Sequence, residues 1–376
     1  MKPLLGLYLH IPFCKSKCSY CDFYSLPRRE TEMPRYTAAL IAQLRAMAPR
    51  AQEYTVDTVY FGGGTPSYLG AERLGDILSA VKQNYSLAPE AEITLEANPD
   101  SITPAAAQTL FRAGFRRVSL GVQSADDAML RRIGRIHSFA QAREAVGSLR
   151  EAGFGNISLD LIYGLPQQTP AQWQDTLHAV LALQPEHLSC YGLTLEKGTP
   201  LYRRREEFAF PDEEEQAELY LYTVEQLSRQ GYLHYEISNF ARPGYSSRHN
   251  EKYWTGQEYL GFGPGAHSDF GGERFACARD LDLYLGGTVV WSERSRPDAK
   301  ERLREYLMLA LRTRRGIAAR ELEEKFSASF APLLPALRRC QDSGYARETQ
   351  GRWHLTPRGF LLSNQIITML WEAMGL

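Results

Sequence analysis

Three cysteines, Cys14, Cys18 and Cys21, fall within eight residues in the run Cys14-Lys-Ser-Lys-Cys18-Ser-Tyr-Cys21. Thiolates this close together can wrap one compact, soft metal centre. A cubane [4Fe–4S] cluster ordinarily takes four Cys ligands, so three would leave one iron open to an exogenous ligand. As with catalytic zinc, an open coordination position marks chemistry rather than structure. A zinc ion completed by His10 or Asp22 is the competing reading. The other three cysteines, Cys190, Cys277 and Cys340, are scattered singly, which is not a disulfide framework.

Further groups able to do chemistry recur after short β-rich runs. Gly62-Gly63-Gly64-Thr65-Pro66 can bring backbone amides and carbonyls close to a ligand, or simply form a tight turn. Glu96 stands in LEANP, Gln123 in GVQS, Arg135 shortly after, and Asp160 in SLDLIYGLP. A carboxylate, an amide, a guanidinium and a second carboxylate are costly to bury without partners. Each alone is more often structural, and Asp160 could cap a neighbouring loop; their joint spacing points to one polar ligand.

The elements that must position them follow from periodicity. Strands are predicted at Leu4–His10, Val56–Phe61, Glu92–Ala97, Arg117–Val122, Ile157–Ile162 and His187–Leu193. Tyr36, Leu40, Leu44 and Met47 share one helical face, as do Leu74, Ile77, Leu78 and Val81. Thr103-Pro104 and Thr169-Pro170 each read as an N-cap with Pro at the first helical position. Six successive βα units imply a parallel sheet covered by helices. Eight would close a barrel, so an incomplete (β/α)6 barrel is expected, with an open doubly wound sheet as the alternative, and functional groups at the C-terminal strand ends.

The alternation lapses near residue 195. Glu213, Glu214 and Glu215 begin a charged helix, and an aromatic, Gly-rich section runs from Tyr232 to Tyr284. Helices are predicted at Leu303–Arg312, Ala319–Phe326 and Ala331–Asp342. A hairpin bracketed by Gly344, Gly351 and Leu355 follows, then a last helix at Gly359–Trp371. That order resembles a winged helix, and its mixed charge favours packing or partner docking over DNA. The division expected is 1–195, a partial barrel with the cysteine loop; 196–300, an α+β extension; and 301–376, a winged-helix-like module.

Composition sets limits. The 376 residues carry 43 Lys+Arg against 44 Asp+Glu, a formal net charge of −1. That balance gives no electrostatic reason to propose a nucleic acid or an anionic membrane as partner. With 44% apolar and 23% charged residues the chain reads as soluble and globular, and at about 150 residues per domain it suggests two domains, with three open. No window approaches the roughly 18 apolar residues of a membrane span. His10 and Pro12 interrupt the apolar start and no small-residue cleavage site follows, so an uncleaved cytoplasmic chain is expected.

CxxxCxxC with an aromatic, Tyr20, before the last Cys resembles the radical S-adenosylmethionine (radical SAM) superfamily. The resemblance implies a [4Fe–4S] cluster on Cys14, Cys18 and Cys21, with S-adenosylmethionine chelating the open iron. One electron from the cluster then cleaves the sulfonium to a 5′-deoxyadenosyl radical. LYLHIPFC, FGGGTPS, LEANPD, GVQS and DLIYGLPQQT narrow the match to the oxygen-independent coproporphyrinogen III oxidase family. On that resemblance Tyr8, Gly63, Gly64, Thr65, Glu96, Gln123, Arg135 and Asp160 match cofactor-binding positions, and Tyr20 stands where an aromatic packs near adenine.

Two departures separate the chain from the oxidase. Phe23 stands where the oxidase carries a further Cys, and only thirteen residues precede Cys14. Both are typical of the HemW-type haem chaperone subgroup, as is the HNxxYW motif His249-Asn250-Glu251-Lys252-Tyr253-Trp254. A neutral imidazole is a usual haem axial ligand, and Tyr253 and Trp254 could pack on a flat macrocycle. The bland alternative is a satisfied histidine in an ordinary loop. GFGPGAHS, with His267, could line the same cavity or only turn the chain.

The resemblance thus implies a haem chaperone whose partners are haem, a haem-acceptor protein and, where radical chemistry is used, an electron donor such as a flavodoxin or ferredoxin. A homodimer is left open. The departures weigh against oxidative decarboxylation of coproporphyrinogen propionates, the runner-up activity. A zinc-stabilised α/β binding protein is the third reading.

Overall fold

A computed structural model describes residues 2–376. Six strands run β1 Leu4–Ile11, β2 Thr55–Gly63, β3 Leu87–Ala97, β4 Arg117–Gln123, β5 Asn156–Tyr163 and β6 His187–Gly192. Each pairs in parallel with the next, in chain order. The helices between them are α1 Met33–Met47, α2 Ala71–Asn84, α3 Pro104–Ala113, α4 Asp127–Arg132, α5 Phe139–Ala152 and α6 Pro170–Leu181. This is the incomplete (β/α)6 barrel with further α+β elements that the sequence predicts.

Period-two patterning explains the layering. Leu5, Leu7, Leu9 and Ile11 of β1 are fully buried, as are Val59 and Phe61 of β2 and Val118, Leu120 and Val122 of β4. Phe61 meets Phe115, which follows α3, at 5.0 Å between ring centroids. The alternate residues (Tyr8, His10, Tyr60, Glu96, Ser119, Asp160, Ser189) are polar and share the opposite, concave face, as the register requires. A barrel lining of this composition is built to meet a polar ligand, because an apolar filling would strand its donors and acceptors.

Local chemistry sets the helix starts. Thr103 accepts from the Ala106 amide, and Ser138 and Thr169 form reciprocal capping boxes with Gln141 and Gln172. Tyr36, Leu40, Leu44 and Met47 form the buried stripe of α1, and Leu74, Ile77, Leu78 and Val81 that of α2.

The chain divides into two compact units: residues 2–219 with 258–295, and residues 220–257 with 296–376. The segment 196–300, expected as one extension, is therefore shared between them. The reason is pairing across long sequence separation. Tyr259–Phe262 joins β1 in parallel, and His267–Phe270, Glu273–Cys277 and Trp291–Ser295 continue outward antiparallel. In the second unit, by contrast, Ile237 N–H donates to the Arg312 carbonyl and Arg314 N–H to that of Tyr235. That unit also holds helices Ala299–Ala310, Ala319–Phe326, Leu334–Asp342 and Ser363–Ala373. Its three-stranded sheet is formed by Ile317–Ala318, Arg352–Leu355 and Ala346–Thr349. This is the predicted winged-helix-like arrangement. Among the described residues no helix is long and apolar enough to cross a membrane.

Leu74, fully buried on α2, tests the layering. Leu74→Ala should lower unfolding free energy by about 2–5 kcal/mol, measured by urea denaturation; a loss below about 1 kcal/mol would mean that α2 does not pack as described.

Candidate functional site: the cysteine loop and the barrel mouth

The cysteine loop leaves β1 and is closed at its base. Leu26 N–H donates to the Pro12 carbonyl at 2.6 Å, and Phe13–Cys14 pairs with Leu26–Pro27. His10 Nε2 lies 2.8 Å from the Tyr24 carbonyl, and burial holds this imidazole neutral, down to about 4. The turn after β2 clamps the other side: Gly64 N–H donates to Ile11 and Thr65 N–H to Phe13. A Cβ at Gly64 would stand 2.8 Å from the Phe13 carbonyl and 3.1 Å from Cys14 Sγ, so only glycine lets the two backbones approach this closely. At Gly63, φ is +114° and a Cβ would meet the His10 ring at 2.7 Å.

All six cysteines are free thiols. Cys14 is buried, and Cys18 and Cys21 are half-buried. Burial raises the Cys14 and Cys21 thiols, and their proximity to Cys18 adds to it. Among the described residues no three His, Cys, Asp or Glu side chains gather closely enough to hold a single metal ion. The three thiols lie on one short loop, Cys14 to Cys21, beside the turn after β2.

A string of hydrogen bonds ties this loop to the strand ends. Cys14 Sγ lies 3.3 Å from Thr65 Oγ1, which accepts from Asn98 Nδ2 at 3.3 Å. Asn98 Oδ1 accepts from Arg135 Nη2 at 2.8 Å; the same nitrogen donates to the Gly121 carbonyl, and Arg135 Nη1 lies 3.6 Å from Cys18 Sγ. Gln123 ends β4 at φ +66°, beside a register shift, a strained conformation for a non-glycine residue. Its amide nitrogen, like Arg135 Nη2, sits 3.0 Å from where a Gly121 side chain would begin.

Glu96 accepts from Tyr60 Oη at 2.8 Å and from the Gly63 amide at 3.1 Å. Burial raises its carboxyl from 4.5 to about 7; the Tyr60 hydrogen bond opposes the rise, and the Asp160 charge adds to it. Tyr8 stacks on Tyr60 at 6.2 Å, with its hydroxyl 3.1 Å from His10 Nδ1. Asp160 accepts from Ser189 at 2.6 Å, from Ser119 at 3.0 Å and from Ser158 at 3.3 Å, so it is embedded in the lining rather than capping a loop. Tyr20 packs on an apolar cluster that includes Met129, Ile133, Leu165 and Leu201.

The mouth therefore gathers Tyr8, Tyr20, Gly63, Gly64, Thr65, Glu96, Gln123, Arg135 and Asp160 in one unit with the three cysteines. His249 belongs to the other unit. It lies on helix Arg248–Thr255, is 1% exposed, and has Nε2 2.9 Å from Tyr253 Oη. His267 is exposed and faces Glu293 at 3.9 Å. Gly263, in the loop ahead of it, donates its amide to Gln43 Oε1 at 2.9 Å and accepts from the Ala266 amide at 3.1 Å, so GFGPG is a turn against the end of β1. Asn98 and the serines at 119, 158 and 189 were not singled out by the sequence reading. Their signal was period two: each falls on the concave face, in or next to the rows that hold Glu96 and Asp160.

Residues 8–180 match the radical SAM superfamily model and residues 298–362 the HemN C-terminal domain model. A protein of Lactococcus lactis named heme chaperone HemW is 34% identical over 96% of this chain and 95% of its own length. The protein of that name in Mycobacterium tuberculosis is 38% identical, covering 97% and 94%. The chain belongs to the HemW family of radical SAM proteins. Its fold matches the solved coproporphyrinogen III oxidase (HemN) of Escherichia coli with TM-score 0.85 at 24% identity, over 98% of this chain and 90% of that one. Membership of the radical SAM superfamily implies a [4Fe–4S] cluster and S-adenosylmethionine. In this HemW-family chain the three free thiols and the polar lining beside them fit that pair.

The raised Glu96 carboxyl has a consequence for stability. Between about pH 4.5 and 7 the folded chain keeps a proton there that the unfolded chain has lost, so stability falls as pH rises through that window. Glu96→Gln should flatten the fall by at most about 3 kcal/mol, read from urea unfolding of the cofactor-free protein at a series of pH values. Glu236, buried and also raised to about 7, leaves part of the slope in place. An unchanged slope would show that Glu96 is ordinary in its titration.

Proposed function

We propose that this protein is a haem chaperone on a radical SAM scaffold: it binds haem, a [4Fe–4S] cluster and S-adenosylmethionine, and passes haem to an acceptor protein. The reading is carried by full-length similarity to two proteins named heme chaperone HemW. Phe23 supports it further: 66% exposed, two residues after Cys21, it supplies no fourth thiol at the position that separates the two subgroups.

Cys14, Cys18 and Cys21 hold the cluster. The bound cofactor supplies, when reduced by one electron, a route to a carbon radical. Around it the chain binds and orients. The Gly63–Gly64–Thr65 turn offers backbone groups to the methionine amino group, and Arg135, fixed by Asn98 and the Gly121 carbonyl, presents its guanidinium to the carboxylate. Glu96, Asp160 and Gln123 receive the ribose, and Tyr8 and Tyr20 give the adenosyl group aromatic and apolar walls. Where radical chemistry is used, a flavodoxin- or ferredoxin-like donor supplies the electron. Six unpaired cysteines favour a cytoplasmic setting.

Haem is the cargo, and His249 would hold its iron. Its Nε2 meets the Tyr253 hydroxyl at 2.9 Å, a contact that haem binding would have to displace. Hemin titration should give a shifted Soret band that His249→Ala weakens at least tenfold; an unchanged titration overturns the ligand assignment. Tyr253→Phe, which removes the competing hydroxyl, should tighten hemin binding by about two- to tenfold, and a weaker band would mean that Tyr253 itself holds haem. Anaerobic reconstitution should load about four irons per chain, and Cys18→Ser should prevent stable loading. One zinc in place of the irons would refute the cluster, and vinyl-bearing product from coproporphyrinogen would favour the oxidase.

A further inference from the structure

The concave face buries a guanidinium that the strand-end contacts do not employ. Arg117 opens β4, is 2% exposed, and has Nε and Nη1 without a hydrogen-bond partner. Register sets it beside Thr94 on β3 and Asn156 on β5, whose Oγ1 and Oδ1 also lack partners. A guanidinium stripped of water this completely carries a large desolvation penalty, and opposite charge is what offsets it.

The next residues on the same face of β4 are Ser119 and Gly121, small enough to leave Arg117 in line with the carboxylates of the flanking strands. Glu96 sits beside Ser119 from β3, and Asp160 beside Gly121 from β5. The Arg117 charge opposes the burial that raises both carboxyls. Arg135 closes the column from the mouth through the Gly121 carbonyl. Two guanidiniums thus bracket two carboxylates, while burial holds His10 and His187 neutral.

We propose that Arg117 is a positioning residue for the adenosyl half of S-adenosylmethionine: from the closed end of the barrel it holds Glu96 and Asp160 as paired anions, ready to accept hydrogen bonds from the ribose hydroxyls. This rests on the S-adenosylmethionine reading above. Arg117 acts through the carboxylates and does not touch the ligand. The charged and titratable groups facing Glu96 are Tyr8 from β1, Tyr60 from β2, Arg117 from β4 and Asp160 from β5.

Calorimetric titration of S-adenosylmethionine into cluster-loaded protein from about pH 6 to about pH 9 tests it. Wild-type affinity should decline as pH falls through about 7. In R117M the midpoint should move up by about one pH unit, giving about tenfold weaker binding near neutrality and recovery at the alkaline end. R117K keeps the charge and should keep the wild-type midpoint, and R117Q provides the uncharged comparison if R117M does not fold. An unmoved midpoint, or weakening by one factor at every pH, overturns the positioning role. Wild-type protein that binds no S-adenosylmethionine at any pH overturns the cofactor reading, and the proposal with it.

Discussion

Two backbone hydrogen bonds, Gly64 N–H to Ile11 at 2.9 Å and Thr65 N–H to Phe13 at 2.8 Å, clamp the turn after β2 onto the start of the cysteine loop. The rest of the mouth hangs from that clamp. It places Thr65 against Cys14, which puts Asn98 in reach of Thr65, and Arg135 in reach of both Asn98 and Cys18. A loop of soft ligands is thereby held by groups from neighbouring strands and from the segment after α4 rather than by its own short sequence. Such preorganisation is what a labile cluster needs, since a wandering thiol would trade its iron for water or oxidant.

The second constraint is charge. Two guanidiniums, Arg117 and Arg135, bracket the carboxylates of Glu96 and Asp160 along the lining, and the serines at 119, 158 and 189 supply the hydroxyl donors that the carboxylate of Asp160 requires. Buried charges survive where they are paired and hydrogen-bonded. The lining is accordingly polar but close to neutral, which suits a ligand that carries a sulfonium, an amine and a carboxylate together.

Much of this was legible in the sequence because it is local or periodic. Strand positions followed from alternation, helix starts from Thr-Pro caps, and the site from side chains at strand ends. What escaped was set by partners distant in the chain. Tyr259–Phe262 pairs with β1 across some 250 residues, so the segment 196–300 could not be divided correctly from composition. No motif in the sequence marks Asn98 itself, and only the neighbouring strands show that it joins Thr65 to Arg135. His249 read as a loop histidine or an open ligand; it is buried on a helix against Tyr253, a contact that i,i+4 spacing makes natural once the helix is known.

On the proposed function, Cys14, Cys18 and Cys21 would leave one iron open at the barrel mouth, next to a lining that would receive S-adenosylmethionine. Electron paramagnetic resonance of the anaerobically reconstituted, reduced protein reports on that iron directly. Adding S-adenosylmethionine should change the g-values of the cluster signal as the ligand reaches the open iron. A cluster signal unchanged at saturating S-adenosylmethionine would contradict it.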